Sequence, residues 1–330
     1  MSDPLSPNTR AALLLMAPLI AGGEESTPEP LTAREYLKLV QVLAQLKLEP
    51  ADLLGKEDGS LPAEVRNLIE CERYQDLLAR EVGLDRALDY WHSRDIWVVG
   101  CDDEGYPKPL SKRLKDHAPP IIYGCGDGAL LETGGLAVVG SRQVDANLID
   151  FTETIGRMAA EAERTIVSGA ARGVDQAAMR GALGVGGTVV GVLADSLERI
   201  SVNREHRQLL REGKLALMSP YDPAAGFNIG HAMQRNKLIY ALSDAALVVN
   251  SDHEKGGTWS GAVEQLEKLH FVPIYVRSTG EIGKGLAELQ LKGALPWPNP
   301  TSADEFDQVM TRLGRTNNNY SSQQLSLLET

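Results

Sequence analysis

From Asp95 onward the chain repeats one pattern: a short apolar run, then a longer helix-like segment. The runs are "IWVVG" (Ile96–Gly100), "PIIYG" (Pro120–Gly124), "LAVVG" (Leu136–Gly140), "TIVSG" (Thr165–Gly169), "TVVGVL" (Thr188–Leu193), "LALMS" (Leu215–Ser219), "ALVVN" (Ala246–Asn250) and "VPIYV" (Val272–Val276). Most are apolar on both faces, which suits central strands of a parallel sheet covered on both sides. The segments between them, such as "DFTETIGRMAAEAE" (Asp150–Glu163) and "SGAVEQLEKL" (Ser260–Leu269), read as helices. Strand–helix alternation of this kind predicts a doubly wound α/β fold with a mostly parallel sheet. Such sheets bind ligands in the loops at the carboxyl ends of their strands.

Residues before Asp95 carry no strand pattern and read as helical. "AALLLMAPLIAGG" follows an acidic residue and a single arginine and is too short to span a bilayer, so a buried helix is expected rather than a signal or anchor. "TAREYLKLVQVLAQLKL" has apolar positions at Leu39, Val40, Val42, Leu43 and Leu46, and Thr32 stands three residues before Glu35 as a capping box. "EVRNLIECERYQDLLAREVGLDRALDYW" continues in the same way, with Gly83 as an expected break, and Gly22–Pro30 is a polar loop. The expected organisation is a helical domain over 1–93, an extended Rossmann domain over 94–300, and a short, partly flexible tail over 301–330.

Composition narrows the function. Three cysteines (Cys71, Cys101, Cys125) at no metal-like spacing suit a reduced cytoplasmic protein, with no metal, no cofactor and no membrane partner expected. A net charge of −12 argues against coating nucleic acid with a broad basic face. Local cations can still form an anion pocket, because near neighbours set the field at a few ångströms.

The strand-end loops supply such cations. "TIVSGAARGVDQAAM" passes from strand to helix through Ser168, Gly169, Arg172 and Gly173, with Asp175 expected to cap backbone groups of the turn. Glycines permit close backbone approach, and a helix N-terminus offers unpaired N–H groups and partial positive charge. After "LAVVG" come Ser141 and Arg142, and after "TVVGVL" come Arg199, Arg204, His206 and Arg207. Arg235, Asn236 and Lys237 are read as opening a helix, where their charge would oppose the dipole unless an anion binds. After "ALVVN" come Lys255, Gly256, Gly257 and Thr258 at another helix start, without the order of a full P-loop. Each piece alone is an ordinary turn; together they predict a phosphate-binding groove.

In order and wording, "AVVGSR", "IVSGAARGVDQAAMRGAL", "TVVGVLADSL", "QRNKLIYALSDAALVV" and "GGTWSGAVEQLEKLHFVPIYV", with the lead-in "VVGCDDEGYPKPLSKRLKDHAPPIIYGCGD", resemble the DNA-processing protein A family (DprA, also called Smf). The resemblance runs from about Asp95 to Pro296. It implies an extended Rossmann domain behind helices, single-stranded DNA binding without catalysis, hand-off to a RecA-type recombinase in transformation, and a homodimer. It places DNA phosphates against Ser141, Arg142, Ser168, Gly169, Arg172, Gly173, Arg235, Asn236, Lys237, Gly257 and Thr258. Met179 stands where the family usually has histidine, Lys237 replaces the second arginine of an Arg-Asn-Arg triplet, and "MSPYDP" lacks the usual glutamate. About thirty residues follow Pro300, too few for the winged helix of many members.

Two other readings share the groove. One is a component of an anti-phage or toxin–antitoxin module that senses DNA or a nucleotide and restrains a neighbouring-gene effector. The other is a phosphoribohydrolase-like enzyme using Glu264, although no second carboxylate or histidine is paired with it for acid–base work. Aromatic residues for base stacking are few, with Tyr221, Phe227, Tyr240 and Trp259 in or near the relevant loops.

Overall fold

The computed structural model describes residues 5–22, 28–55 and 60–312. The polar tail from Arg315 and most of the loop after Gly22 lie outside the described residues. The chain divides into two compact units, one of residues 1–126, 195–207 and 218–227, the other of 127–194, 208–217 and 228–330.

The first unit holds α1 (Pro7–Met16), α2 (Ala33–Gln45), α3 (Ala63–Arg66), α4 (Cys71–Leu78) and α5 (Glu81–His92). An antiparallel pair follows, β1 (Ile96–Gly100) and β2 (Ile121–Gly126), with α6 (Lys108–Leu114) between them. Helix α1 holds the apolar stretch near the start, and its five consecutive residues Ala11–Leu15 are all buried. Buried Arg80 closes its C-terminal end by donating to the carbonyls of Leu14 and Ala17. The Thr32–Glu35 capping box on α2 forms as read. Gly83 does not break the helix: it is buried inside α5, and the interruptions fall after α3 and at Ala79–Arg80. Trp91 of α5 meets Tyr123 of β2 edge to face at 5.1 Å, joining helices and hairpin in one core.

The second unit carries the parallel sheet. Its strands are β3 (Leu136–Val139), β4 (Ile166–Ser168) and β5 (Val189–Val192), then β6 (Leu215–Ser219), which enters the unit with its first three residues. They continue as β7 (Ala245–Val248), β8 (Ile274–Val276) and β9 (Leu295–Pro296). Their order is β6-β5-β4-β3-β7-β8-β9. The pairs β3/β4, β4/β5, β3/β7, β7/β8 and β8/β9 are all parallel. Helices α7 (Ala146–Glu161) and α8 (Val174–Leu183) return the chain between β3, β4 and β5. After β5 the chain runs through α9 (Leu197–Ser201) of the first unit and along α10 (Arg204–Arg211) to β6. Helices α11 (Ile229–Ala241) and α12 (Gly256–Glu264) precede and follow β7, and α13 (Lys284–Leu291) precedes β9. Strands β3, β4, β5 and β7 are buried throughout, so their apolar runs form a two-sided core. From β3 the order runs to β4 on one side and jumps to β7 on the other. That reversal is the topological switch point, where a doubly wound sheet opens a crevice.

Candidate nucleic-acid interface

The loops beyond β3, β4 and β7 meet at the switch point and hold one another by hydrogen bonds. The Ser141 N–H donates to Asn250 Oδ1 at 2.8 Å, tying the end of β3 to the residue that follows β7. Thr258 Oγ1 donates to the Gly140 carbonyl at 2.9 Å, bringing the first turn of α12 to the same point. Gly173 (φ +86°) brings the β4–α8 turn onto the loop after β3, where a methyl group would run into the Ser141 carbonyl. The Val174 N–H reaches that carbonyl at 3.3 Å. On α11, Asn236 Nδ2 donates to the Gly257 carbonyl at 3.0 Å. Four separate stretches of sequence are thus brought together within the second unit.

Two helix starts at this point differ from their neighbours. Asp145 caps α7 by accepting from the Leu148 N–H, and Asn228 caps α11 by accepting from the His231 N–H. Neither Gly173 before α8 nor Lys255 before α12 caps its helix with a side chain, but in α8 the Val174 and Gln176 N–H groups are already taken by the Ser141 and Ala171 carbonyls. The start of α12 and the two helix dipoles present partial positive charge. Arg142, Arg172 and Lys255 are exposed on the same turns. Ala170 (φ +54°) and Glu254 (φ +57°) hold left-handed backbone within these loops, a conformation that non-glycine residues adopt at a cost.

Beneath the turn lies a buried charge pair. The Arg235 guanidinium lies against Gly169, in the space that a side chain there would occupy. Arg235 and Asp175 are each 6% exposed. The Asp175 carboxylate accepts the Ala171 N–H at 3.4 Å. Burial pushes its pKa up to about 6, against the pull of Arg235, of the Ala171 and Gly169 N–H groups and of Arg142.

Several placements differ from the reading of the sequence. Arg235, Asn236 and Lys237 do not open a helix: α11 starts at Ile229, so they lie in its second and third turns, and the dipole argument does not apply. Lys237 Nζ pairs with Glu264 Oε1 at 3.1 Å. The Ser168 hydroxyl is buried and donates to the Val138 carbonyl at 2.7 Å. Tyr240 and Trp259 are buried, so neither offers a stacking face, whereas Phe227 is exposed. Arg199, Arg204, His206 and Arg207 belong to the first unit. Asn250, which locks β3 to β7, escaped notice in the sequence; its signal was a lone amide ending an otherwise apolar run. Among the described residues no group of acidic, histidine or cysteine side chains could hold a metal ion, and no helix is long and apolar enough to cross a membrane.

The fold and this constellation define a doubly wound α/β protein with a cation-bearing, glycine-built cluster at its switch point. Comparison with known proteins carries the assignment further. The chain belongs to the DNA recombination-mediator protein A family, whose model matches residues 97–299. Protein Smf of Escherichia coli (strain K12) is 34% identical over 198 residues, which are 56% of this chain and 50% of that protein. DNA processing protein DprA of Bacillus subtilis (strain 168) is 28% identical over 188 residues, 56% of this chain and 62% of the other. The chain therefore spans about half to three-fifths of the length of these curated relatives. The X-ray structure of DprA from Streptococcus pneumoniae shares the fold, with a TM-score of 0.62 and 21% identity over 92% of this chain and 97% of that one. A structure from Helicobacter pylori has a TM-score of 0.53 and 26% identity, over 66% of this chain and 96% of that one. It is described as giving the single-stranded DNA binding mode of DNA processing protein A.

Proposed function

We propose that this chain binds single-stranded DNA through its backbone phosphates at the turns beyond β3, β4 and β7, and acts in DNA processing and recombination. The observation that carries the reading is the clustering of exposed Arg142, Arg172 and Lys255 around the start of α8 and the start of α12, the latter with no side-chain cap. Cations and backbone N–H groups are what phosphate oxygens need, and they carry no base code, so binding should be indifferent to sequence. The single-stranded DNA binding described for the Helicobacter pylori protein supports the same ligand here. Hand-off of the strand to a RecA-type recombinase and self-association into a dimer belong to this reading as further steps.

The test is fluorescence anisotropy with a labelled oligonucleotide, competed by unlabelled single strands of differing sequence and by duplex of equal length. Single strands should compete alike and duplex should compete weakly. Duplex competing as well as single strands would remove the reading. Release of free base from nucleoside monophosphates would favour the hydrolase instead.

A further inference from the structure

One cation of the cluster is already occupied. Asn236 donates to the Gly257 carbonyl in the first turn of α12, and a methyl at Gly261 would lie 3.4 Å from both Asn236 and Tyr240. Helix α11 is therefore packed along α12, with Asn236 beside its uncapped start. The next residue, Lys237, does not point there: its ammonium reaches Glu264 at the far end of α12, 3.1 Å away. Gly257 and Glu264 are seven residues apart, roughly 10 Å along a helix axis. The four-carbon stem of lysine is flexible enough to serve either end.

We propose that Glu264 is an internal competitor for the DNA backbone, holding Lys237 until a phosphate takes its place. This rests on the phosphate-binding reading above and assigns that site a built-in resistance to weak anions. The pair suits exchange, because its side chains are 30% and 29% exposed. An ion pair this open to solvent is weak, so a phosphate already held by the exposed arginines can displace the carboxylate. A lone anion that reaches only Lys237 gains little, because it must break one ion pair to form another.

The experiment is a double-mutant cycle on the full chain with E264Q, K237A and the combined variant. Single-stranded oligonucleotide binding is measured over a range of salt concentrations, and circular dichroism checks each fold. E264Q should bind about two- to fivefold more tightly than wild type, the affinity equivalent of a weak ion pair. Its dependence of log affinity on log salt should keep the wild-type slope, because the same number of phosphates is neutralised, whereas K237A should lower that slope by about 0.7. In the K237A background, adding E264Q should change neither quantity. Where wild type binds, equal or weaker binding by E264Q overturns the competitor role and leaves the phosphate-binding reading standing. Absence of single-strand binding by both wild type and E264Q overturns the two together.

Discussion

Asp175 is the residue at which the cluster's stability and its chemistry meet. Its carboxylate is buried under the β4–α8 turn beside Arg235, and burial raises its pKa from 3.8 to about 6. A raised carboxylate pKa means that the folded state binds more protons than the unfolded chain between about pH 4 and pH 6. The stability contributed by protonated Asp175 is present below about pH 4 and is lost as the pH rises through 6. The loss is on the order of 3 kcal/mol, at about 1.4 kcal/mol per pKa unit. Denaturant unfolding of wild type and D175N from pH 4 to pH 7 should therefore give diverging curves, with wild type losing more; parallel curves would sink the assignment. The neighbouring glycines make a second contrast. At Gly169 a methyl would meet the movable end of Arg235, whereas at Gly173 it would meet the Ser141 backbone carbonyl and require φ +86°. G173A should cost at least about 1 kcal/mol more than G169A in unfolding free energy; the reverse order would contradict the geometry. Both glycines were legible as a turn in "SGAARG". That Arg235 fills the space above Gly169 was not, because the two lie 66 residues apart in the chain and no local pattern links them.

At the scale of elements, periodicity succeeded wherever burial is two-sided or stripe-like. The apolar runs became β1 to β8, and the Thr32–Glu35 box marked the start of α2. Helix α11 was misread at its beginning for a physical reason. Its first turns expose Ile229 and Met233 and contain Gly230, so the apolar stripe that signals a helix starts only near Leu238. The true start rests on Asn228, whose side chain accepts the His231 N–H at 3.2 Å. N228A should lower unfolding free energy by about 1 kcal/mol, and N228D should restore most of it. Denaturant titration reads both values, and an N228A chain as stable as wild type would mean that the cap contributes nothing. Because α11 carries Asn236 and Lys237 to α12, the same variant should also weaken single-strand binding.

For the whole molecule, net charge and local charge point in opposite directions. A chain of −12 repels a polyanion at long range, yet counterions screen charges beyond about 10 Å at 0.1 M salt. The sequence could show the total and the cationic loops, but the closeness of those loops depends on the strand order, which no single stretch encodes. The triple substitution R142A, R172A and K255A tests the local term directly. Each lost phosphate contact should lower the dependence of log affinity on log salt by about 0.7, so the triple variant should fall by about 2, equally for all sequences. Thermal stability should change by less than about 1 kcal/mol, because exposed charges contribute little to the fold. A matched control neutralises Arg66, Arg86 and Lys112, which are exposed on α3, α5 and α6 of the first unit. Both triples make the chain more negative by the same three charges, so a purely global effect would weaken binding equally in each. If the loops of the second unit hold the backbone, the control keeps the wild-type slope and the site triple loses it. Equal slopes in the two triples would show that binding follows the total charge and would remove these three residues from the interface.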